Sequence, residues 1–575
     1  MRAVDFVLMW HMHQPDYRDQ ASGEFALPWV YLHAMKDYTD MAWHLEQHPD
    51  MRAVVNFAPV LLDQLEDYAQ QFACGQLRDP LLRLLAHDES APLTAAERNY
   101  ALDRCFRANH HKMIAPFAAY KQIHDLFRTL EAQGEAGLAY LSDQYIYDLL
   151  MWYHLSWTGE TLRREQPAIA RLMAVANGYT RATRLELLGL IGGWISEVVP
   201  RYRKLAAAGR IEVSTTPHYH PLAPLLLDFR AAHDTLPDAP LPTAPEYPGG
   251  RDRVNVHLNA AIESHARRFG MPPQGLWPAE GALSDSFLRV VDEKSLSWIA
   301  SSESVLANSL RKTAGRVFER GRDLYRPYRV ASVSPRLTCF FRDERLSDLI
   351  GFSYAKWHGS DAAANFVNEV EAAAAAAPQG ERPLVCVILD GENAWEYYPY
   401  NAYYFLSGLY SRLEAHATIR THTFASYLAA NAAGAAVASG ELPAVAPGEL
   451  PAVAAGSWVY GNLSTWIGSA EKNHAWDLLA AAKQCFDLVI ASGRLAPAEE
   501  AAVRRQLADC EGSDWFWWFG DYNPAEAVSS FDHLFRAKLS NLYRLMQLPL
   551  PQALHEPISR GGGHPESGGA MRRAS

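Results

Sequence analysis

The sequence has no CxxC spacing, no run of Lys and Arg, and no stretch of about 18 uncharged apolar residues. Each absence excludes something. Cys74, Cys105, Cys339, Cys386, Cys485 and Cys510 are scattered, several of them inside apolar runs, and read as reduced structural thiols and not as a disulfide framework or zinc site. A net charge of -12 without a basic patch excludes a phosphate-binding surface, so no nucleic-acid partner is expected. Nothing is long and apolar enough to cross a membrane. The N-terminal MRAVDFVLMWHMHQP is interrupted by Asp5 and lacks a small-residue cleavage site, so it reads as a first strand, and the cytoplasm is the expected compartment.

The sequence is rich in apolar and aromatic residues: 49% are hydrophobic, enough over 575 residues for one large core and a smaller one. The 16 tryptophans fall largely in turn-rich stretches, where exposed indoles call for a partner to cover them. A neutral polymer fits that surface and charge.

Short β-rich runs recur at Val4 to Trp10, Ala53 to Phe57, Ile211 to Thr215, Gly275 to Trp277, Ser297 to Ser301, Leu337 to Phe341 and Leu384 to Leu389. Helical patterns lie between them. Trp194 to Ala208 meets Gly209 and passes into IEVSTT, and the Ala-rich Asp361 to Ala377 leads into LVCVILD. Alternating strands and helices predict a parallel α/β barrel or a doubly wound sheet. The tandem GELPAVAP, GELPAVAA reads as a loop, and 499–510 and 531–548 as amphipathic helices. The expected division is a catalytic domain with helical insertions over 1–430, a Pro/Gly/Ala-rich linker over 431–455, a helical C-terminal domain over 456–550 and a disordered Gly/Ser/Arg-rich tail over 551–575.

Four of the seven strands end in polar clusters: HMHQP, TTPHYH, PAEG and DGENAWE. In a parallel barrel those ends converge on one face. Taken singly, each is more simply a solvated loop. LVCVILD delivers Asp390 as the first polar side chain out of a buried strand, where apolar walls and the neighbouring Glu392 and Glu396 raise its pKa and suit it to protonate a departing glycosidic oxygen. Cleavage with retention needs a second carboxylate about 5–5.5 Å away as nucleophile, and Glu280, between an indole and a glycine, is the best candidate. GSWVYGNLSTWIG, with Trp458 and Trp466, and EGSDWFWWFGDYN, with Asp514, Trp515, Trp517 and Trp518, suit the wall of a polysaccharide groove, with some of these indoles in the core. The HxH pairs His11/His13 and His218/His220 have the spacing of barrel-hydrolase metal ligands, but hydroxyl binding is favoured, with no cofactor and no metal.

These residues together resemble glycoside hydrolase family 57, and most closely its α-amylase and amylopullulanase-like members, from about Phe6 to Trp518. Five signature regions have counterparts in order: HMHQPDY, GRIEVSTTPHYHPLAPLL, GLWPAEGAL, VILDGENAWEYY and GSWVYGNLSTWIGSAEKNHAW. The resemblance implies an irregular (β/α)7 TIM-like barrel followed by an all-helical C-terminal domain, a retaining metal-independent mechanism, Glu280 as nucleophile and Asp390 as proton donor. It also implies that His11, His13 and Gln14 line the donor side, with Glu212 and His220 nearby, and that Trp277, Trp395, Trp458, Trp466, Asp514 and Trp515 contact substrate. Gly281 stands where the nearest relatives would carry Ser, which removes one expected hydrogen bond to the nucleophile.

The expected partner is therefore an α-1,4-linked glucan, with α-1,6 cleavage open, and hydrolysis is placed ahead of glucan transfer or branching, which share the same glycosyl-enzyme intermediate. The competing classes are a metal-dependent deacetylase or amidohydrolase built on the HxH pairs, and a sugar-binding protein without catalysis.

Overall fold

The computed structural model describes residues 2–432 and 442–563. Ten strands share one sheet: β1 (Val4–Met12), β2 (Ala53–Phe57), β3 (Ile211–Thr215), β4 (Gly275–Leu276), β5 (Trp298–Ser302), β6 (Tyr328–Val330), β7 (Thr338–Arg342), β8 (Leu384–Asp390), β9 (Ile419–His422) and β10 (Gly448–Leu450). Seven of them, in the order β8-β1-β2-β3-β4-β5-β7, are parallel throughout and make the irregular TIM-like barrel. The seven strands predicted from the sequence are these seven, each within a residue or two. The ring stays open between β7 and β8, where the Asp343 N–H donates to the Cys386 carbonyl at 2.8 Å and Arg342 Nη1 to the Ile388 carbonyl at 2.8 Å in place of a ladder.

Pleating sorts the side chains. Val7 and Met9 of β1, Val54 of β2, Trp298 and Ala300 of β5, Phe340 of β7, and Leu384, Cys386 and Ile388 of β8 point inward and form the barrel core with Trp277. Phe6, Leu8 and Trp10 point outward under the helices. The helix Phe424–Ala430 closes the N-terminal end of the barrel with Phe424 and Tyr427. At the other end the inward series continues to His11, Asn56, Arg342 and Asp390, so period-2 alternation alone carries these polar groups to the strand C-termini.

The helix read from Trp194 to Ala208 is the end of a longer one, Arg181–Ala207, started by Thr180, whose hydroxyl accepts from the Thr183 N–H. Helices Ala470–Ala491, Pro497–Cys510 and Ala525–Leu545 form the C-terminal region. Glu511 fastens it to the barrel: its buried carboxylate accepts from Arg253 Nε at 2.7 Å, Arg253 Nη2 at 2.8 Å, His257 Nε2 at 2.8 Å and the Tyr247 hydroxyl at 2.6 Å.

The second copy of the GEL tandem, expected to be loop, forms β10 against β6, and Pro451 ends it. Residues 440 and 441 of the first copy lie outside the described residues, as do residues 564–575 of the expected disordered tail. The tail's first part departs from expectation. Residues 551–563 pack on the C-terminal helices because Leu554 and Ile558 are buried and the Ile558 N–H donates to Asp532 Oδ1 at 2.7 Å.

Candidate active site

A cavity of about 1040 Å³ opens at the strand C-termini, and Glu280, Asp390, His11, His13, Gln14, Trp458 and Asp514 all lie on its wall. Glu280 follows β4 in a short turn at φ 59°, and its neighbour Gly281 is also left-handed, at φ 58°. Segment 456–461 clamps this turn: Leu283 and Gly456 exchange backbone hydrogen bonds at 2.9 and 3.1 Å, and the Trp458 N–H donates to the Glu280 carbonyl at 3.0 Å. The Trp458 indole then donates to Glu280 Oε2 at 2.9 Å. No Ser is needed beside this carboxylate, because an indole supplies the donor. A Cβ on Gly281 would meet Trp277 Cη2 at 2.8 Å, so glycine is required there for space as well as for its backbone.

Asp390 ends β8 opposite His11 of β1. Its Oδ2 accepts from Asn393 Nδ2 at 2.9 Å. Burial raises its pKa to about 6, against the lowering pull of the Asn393 hydrogen bond and of the His13 and Arg342 charges. Glu392, two residues on, is buried and accepts from the His13 N–H at 3.0 Å. Burial first and the Asp390 charge second hold its carboxyl well above the usual range. Arg342 lies over the Trp458 ring at 4.9 Å and brings the one guanidinium from a barrel strand to the cavity wall.

The histidines form a stack. His13 and His220 rings lie 3.7 Å apart at 14°, and His11 and His220 rings 5.2 Å apart at 17°. Burial and then the neighbouring imidazoles lower both partners of the inner pair, His11 to about 3 and His220 well below its usual value, so both rings are neutral at pH 7. The hydrogen bonds fix the tautomers. Asn56 Nδ2 donates to Ser214 and its Oδ1 accepts from Thr216, so His11 Nδ1–H donates to Asn56 Oδ1 at 2.7 Å. His220 Nε2–H then donates to His11 Nε2 at 3.2 Å, and His220 Nδ1 accepts from the Ser513 hydroxyl at 2.8 Å. His13 Nε2 pairs with Asp514 Oδ1 at 2.8 Å, leaving His13 Nδ1 and Asp514 Oδ2 buried without a hydrogen-bond partner. Both residues are part of the cavity wall.

His13, His220 and Asp514 bring ligand atoms within 4.8 Å of one another, the one such grouping among the described residues. The donor set fits a metal poorly: parallel stacked imidazoles do not aim their in-plane lone pairs at one point, and both His220 nitrogens are engaged. His218 turns outward to Asp63 Oδ2 at 2.9 Å, so the two HxH pairs never assemble.

Several predicted contacts are not in the cavity wall. Glu212 is corrected outright. Its Oε1 accepts from the Trp298 indole at 2.6 Å and its Oε2 from the Ala425 N–H at 2.9 Å, so it caps the helix that closes the N-terminal end of the barrel, far from the strand C-termini. Trp277 is in the barrel core, 5.2 Å from the Trp458 ring, and supports that indole instead of meeting solvent. Trp395 is core, edge-on to Trp10 at 5.4 Å, its Nε1 donating to the Gly391 carbonyl at 2.7 Å. Trp466 and Trp515 are buried in the C-terminal region, Trp515 stacked on Phe535 at 5.7 Å. His220 sits behind His11 and His13, with its Nδ1 3.9 Å from Glu280 Oε1.

Trp517 and Trp518 of the WFWW segment do line the cavity. So do Trp29, His33, Phe106 and Trp157, none of which the sequence reading singled out, because they belong to helical insertions without a strand-end pattern. Pro28-Trp29 directly after the first strand's loop was the one available signal.

Residues 7–437 match the sequence profile of glycosyl hydrolase family 57. No curated protein sequence is significantly similar. Among solved structures, a family 57 branching enzyme from Thermococcus kodakaraensis, in complex with glucose, superposes with a TM-score of 0.53 at 14% identity over 95% of this chain and 90% of that one. A branching enzyme from Pyrococcus horikoshii gives 0.53 at 14% over 97% and 98%. An alpha-amylase from Thermotoga maritima gives 0.54 at 12% over 95% and 93%. At these identities the likeness establishes the fold.

Proposed function

Because the chain belongs to glycosyl hydrolase family 57, we propose that it cleaves α-1,4-linked glucans by a retaining double displacement, with Glu280 as nucleophile and Asp390 as acid and base. The observation that carries the reading is the presence of these two carboxyl groups, delivered by β4 and β8, on the wall of one large cavity. Glu280, its Oε2 oriented by the Trp458 indole, attacks the anomeric carbon while Asp390 gives its proton to the departing glycosidic oxygen. Water then loses a proton to the Asp390 carboxylate and displaces Glu280, restoring both groups.

His13 and Asp514 bind hydroxyls of the sugar at the cleavage point, and neutral His11 and His220 hold His13 in place without adding charge. Trp517 and Trp518 offer faces for stacking. No metal takes part. The cytoplasm suits a chain whose six cysteines are all unpaired, four of them buried.

The test is turnover of maltoheptaose with chromatography of the products. Shorter linear oligosaccharides are expected, none from Glu280→Ala, and an inverted glucosyl azide when azide is added to that variant. Products longer than the substrate would move the reading to transfer. Wild-type turnover in Glu280→Ala would overturn it.

A further inference from the structure

Outside the cavity, the surface holds a second aromatic feature. Tyr400 and Tyr404 are 58% and 48% exposed. Their rings lie 5.6 Å apart at 87°, Tyr404 lies 5.4 Å from Tyr403, also at 87°, and Tyr403 lies 5.6 Å from Trp43 at 36°. Arg164 binds the row together, its guanidinium 4.2 Å from the Tyr403 ring and 5.1 Å from Tyr404, with Nη2 donating to the Tyr404 hydroxyl at 3.0 Å. Glu165 accepts from the Trp43 indole at 2.6 Å.

The backbone keeps this row in place at a conformational cost. Tyr400, Asn401 and Ala402 are three consecutive non-glycine residues at φ 54°, 48° and 61°. The middle one anchors them: buried Asn401 donates through Nδ2 to Asp40 Oδ2 at 2.8 Å and accepts from Lys36 Nζ at 3.1 Å. Lys36 in turn lies over the ring of Trp157, which is part of the cavity wall, at 5.2 Å. Tyr397, three residues before Tyr400, is itself on that wall. The aromatic row is therefore tied to the cavity wall through one buried anchor and one short segment.

We propose that Trp43, Tyr400, Tyr403 and Tyr404 form an outer platform that holds an α-glucan chain beyond the catalytic cavity, a proposal that rests on the α-glucan reading above. Sugar rings present apolar faces to aromatic rings and hydroxyls to charged edges, and Arg164 and Glu165 supply those edges. The occupant is a long polymer, because a short oligosaccharide already fits in the cavity.

The test is affinity electrophoresis through gels containing amylopectin, in the Glu280→Gln background so that the polymer is not digested, beside maltoheptaose turnover in the otherwise wild-type chain. Tyr400→Ala with Tyr404→Ala is expected to weaken retardation at least fivefold and to leave maltoheptaose turnover unchanged. Tyr400→Asn with Tyr404→Ser, whose first residue tolerates the left-handed backbone, is expected to do the same and guards against misfolding. Equal retardation of either pair and its parent, with maltoheptaose still cleaved, overturns the platform and leaves the proposed function standing. Failure of the parent chain to cleave any α-glucan overturns both.

Discussion

The Trp458 indole donates to Oε2 of Glu280 at 2.9 Å, while its own ring is flanked by Trp277 at 5.2 Å and by the Arg342 guanidinium at 4.9 Å. An indole fixed on both sides holds the carboxylate in one orientation. Trp458→Phe keeps the ring packing and removes the donor. A hydrogen bond to a charged group contributes about 1.5–3 kcal/mol, so kcat is expected to fall roughly 10- to 100-fold, with a small change in KM. Steady-state kinetics on maltoheptaose checks this, and an unchanged kcat would show that the indole does not position Glu280.

In the proposed mechanism Asp390 must carry a proton to act first as an acid. Its pKa, raised by burial to about 6, puts the alkaline limb of kcat/KM there: activity is expected to fall tenfold for each unit above that pH. The Asn393 hydrogen bond favours the ionised carboxylate. Asn393→Ala therefore moves the limb to higher pH. A pH profile of both proteins reads the shift, and a limb that stays in place counts against Asp390 as the acid.

Gly281→Ala places a methyl 2.8 Å from a ring atom of Trp277 on a backbone at φ 58°. The left-handed backbone costs about 1–2 kcal/mol and the overpacked core about 1–3 kcal/mol. A lower melting temperature and at least a tenfold loss of kcat are expected, because the turn that moves also carries Glu280. Gly281→Ser is expected to fare no better. A Ser variant with full activity would reinstate the hydroxyl that the family resemblance led one to expect.

Glu511 is fully buried among Arg253, His257 and Tyr247. Burial works to raise its pKa, but the Arg253 charge and the hydrogen bonds from His257 and Arg253 outweigh it and bring it down to about 2. A carboxylate depressed on folding stabilises above its unfolded pKa, about 4.3, and loses that contribution as pH falls toward 2. Glu511→Gln leaves the Arg253 charge unpaired in the interior at a cost of about 3–5 kcal/mol. Denaturant unfolding at pH 7 measures it, and a loss under 1 kcal/mol would contradict the assignment.

Much of this was legible in the sequence. Seven short β-rich runs gave seven barrel strands, because strands buried on both faces leave uninterrupted apolar runs. Polar clusters after them marked the C-terminal face, and Glu280 and Asp390 lie there on one cavity. Glu212 was misread although the same logic places it: second in a five-residue strand, it must lie at the opposite end from Thr216. Indoles were the harder case. Trp395 and Trp515 are core while Trp458 and Trp518 are cavity wall, and no local pattern separates them, since the difference lies in tertiary packing. Trp29 and Trp157 escaped notice because they belong to helical insertions.

His13 meets Asp514, and His220 meets Ser513, across some 500 and 290 residues of chain. The partners of both histidines thus come from a stretch beyond the end of the family match at residue 437. Trimming the polypeptide at the end of that match would remove the 456–461 segment that clamps the Glu280 turn as well as the partners of the histidines, so a shortened version is expected to be inert even where it folds. During synthesis, the His13 and His220 contacts form only once residues 513 and 514 have docked, after both acidic groups are already in the chain.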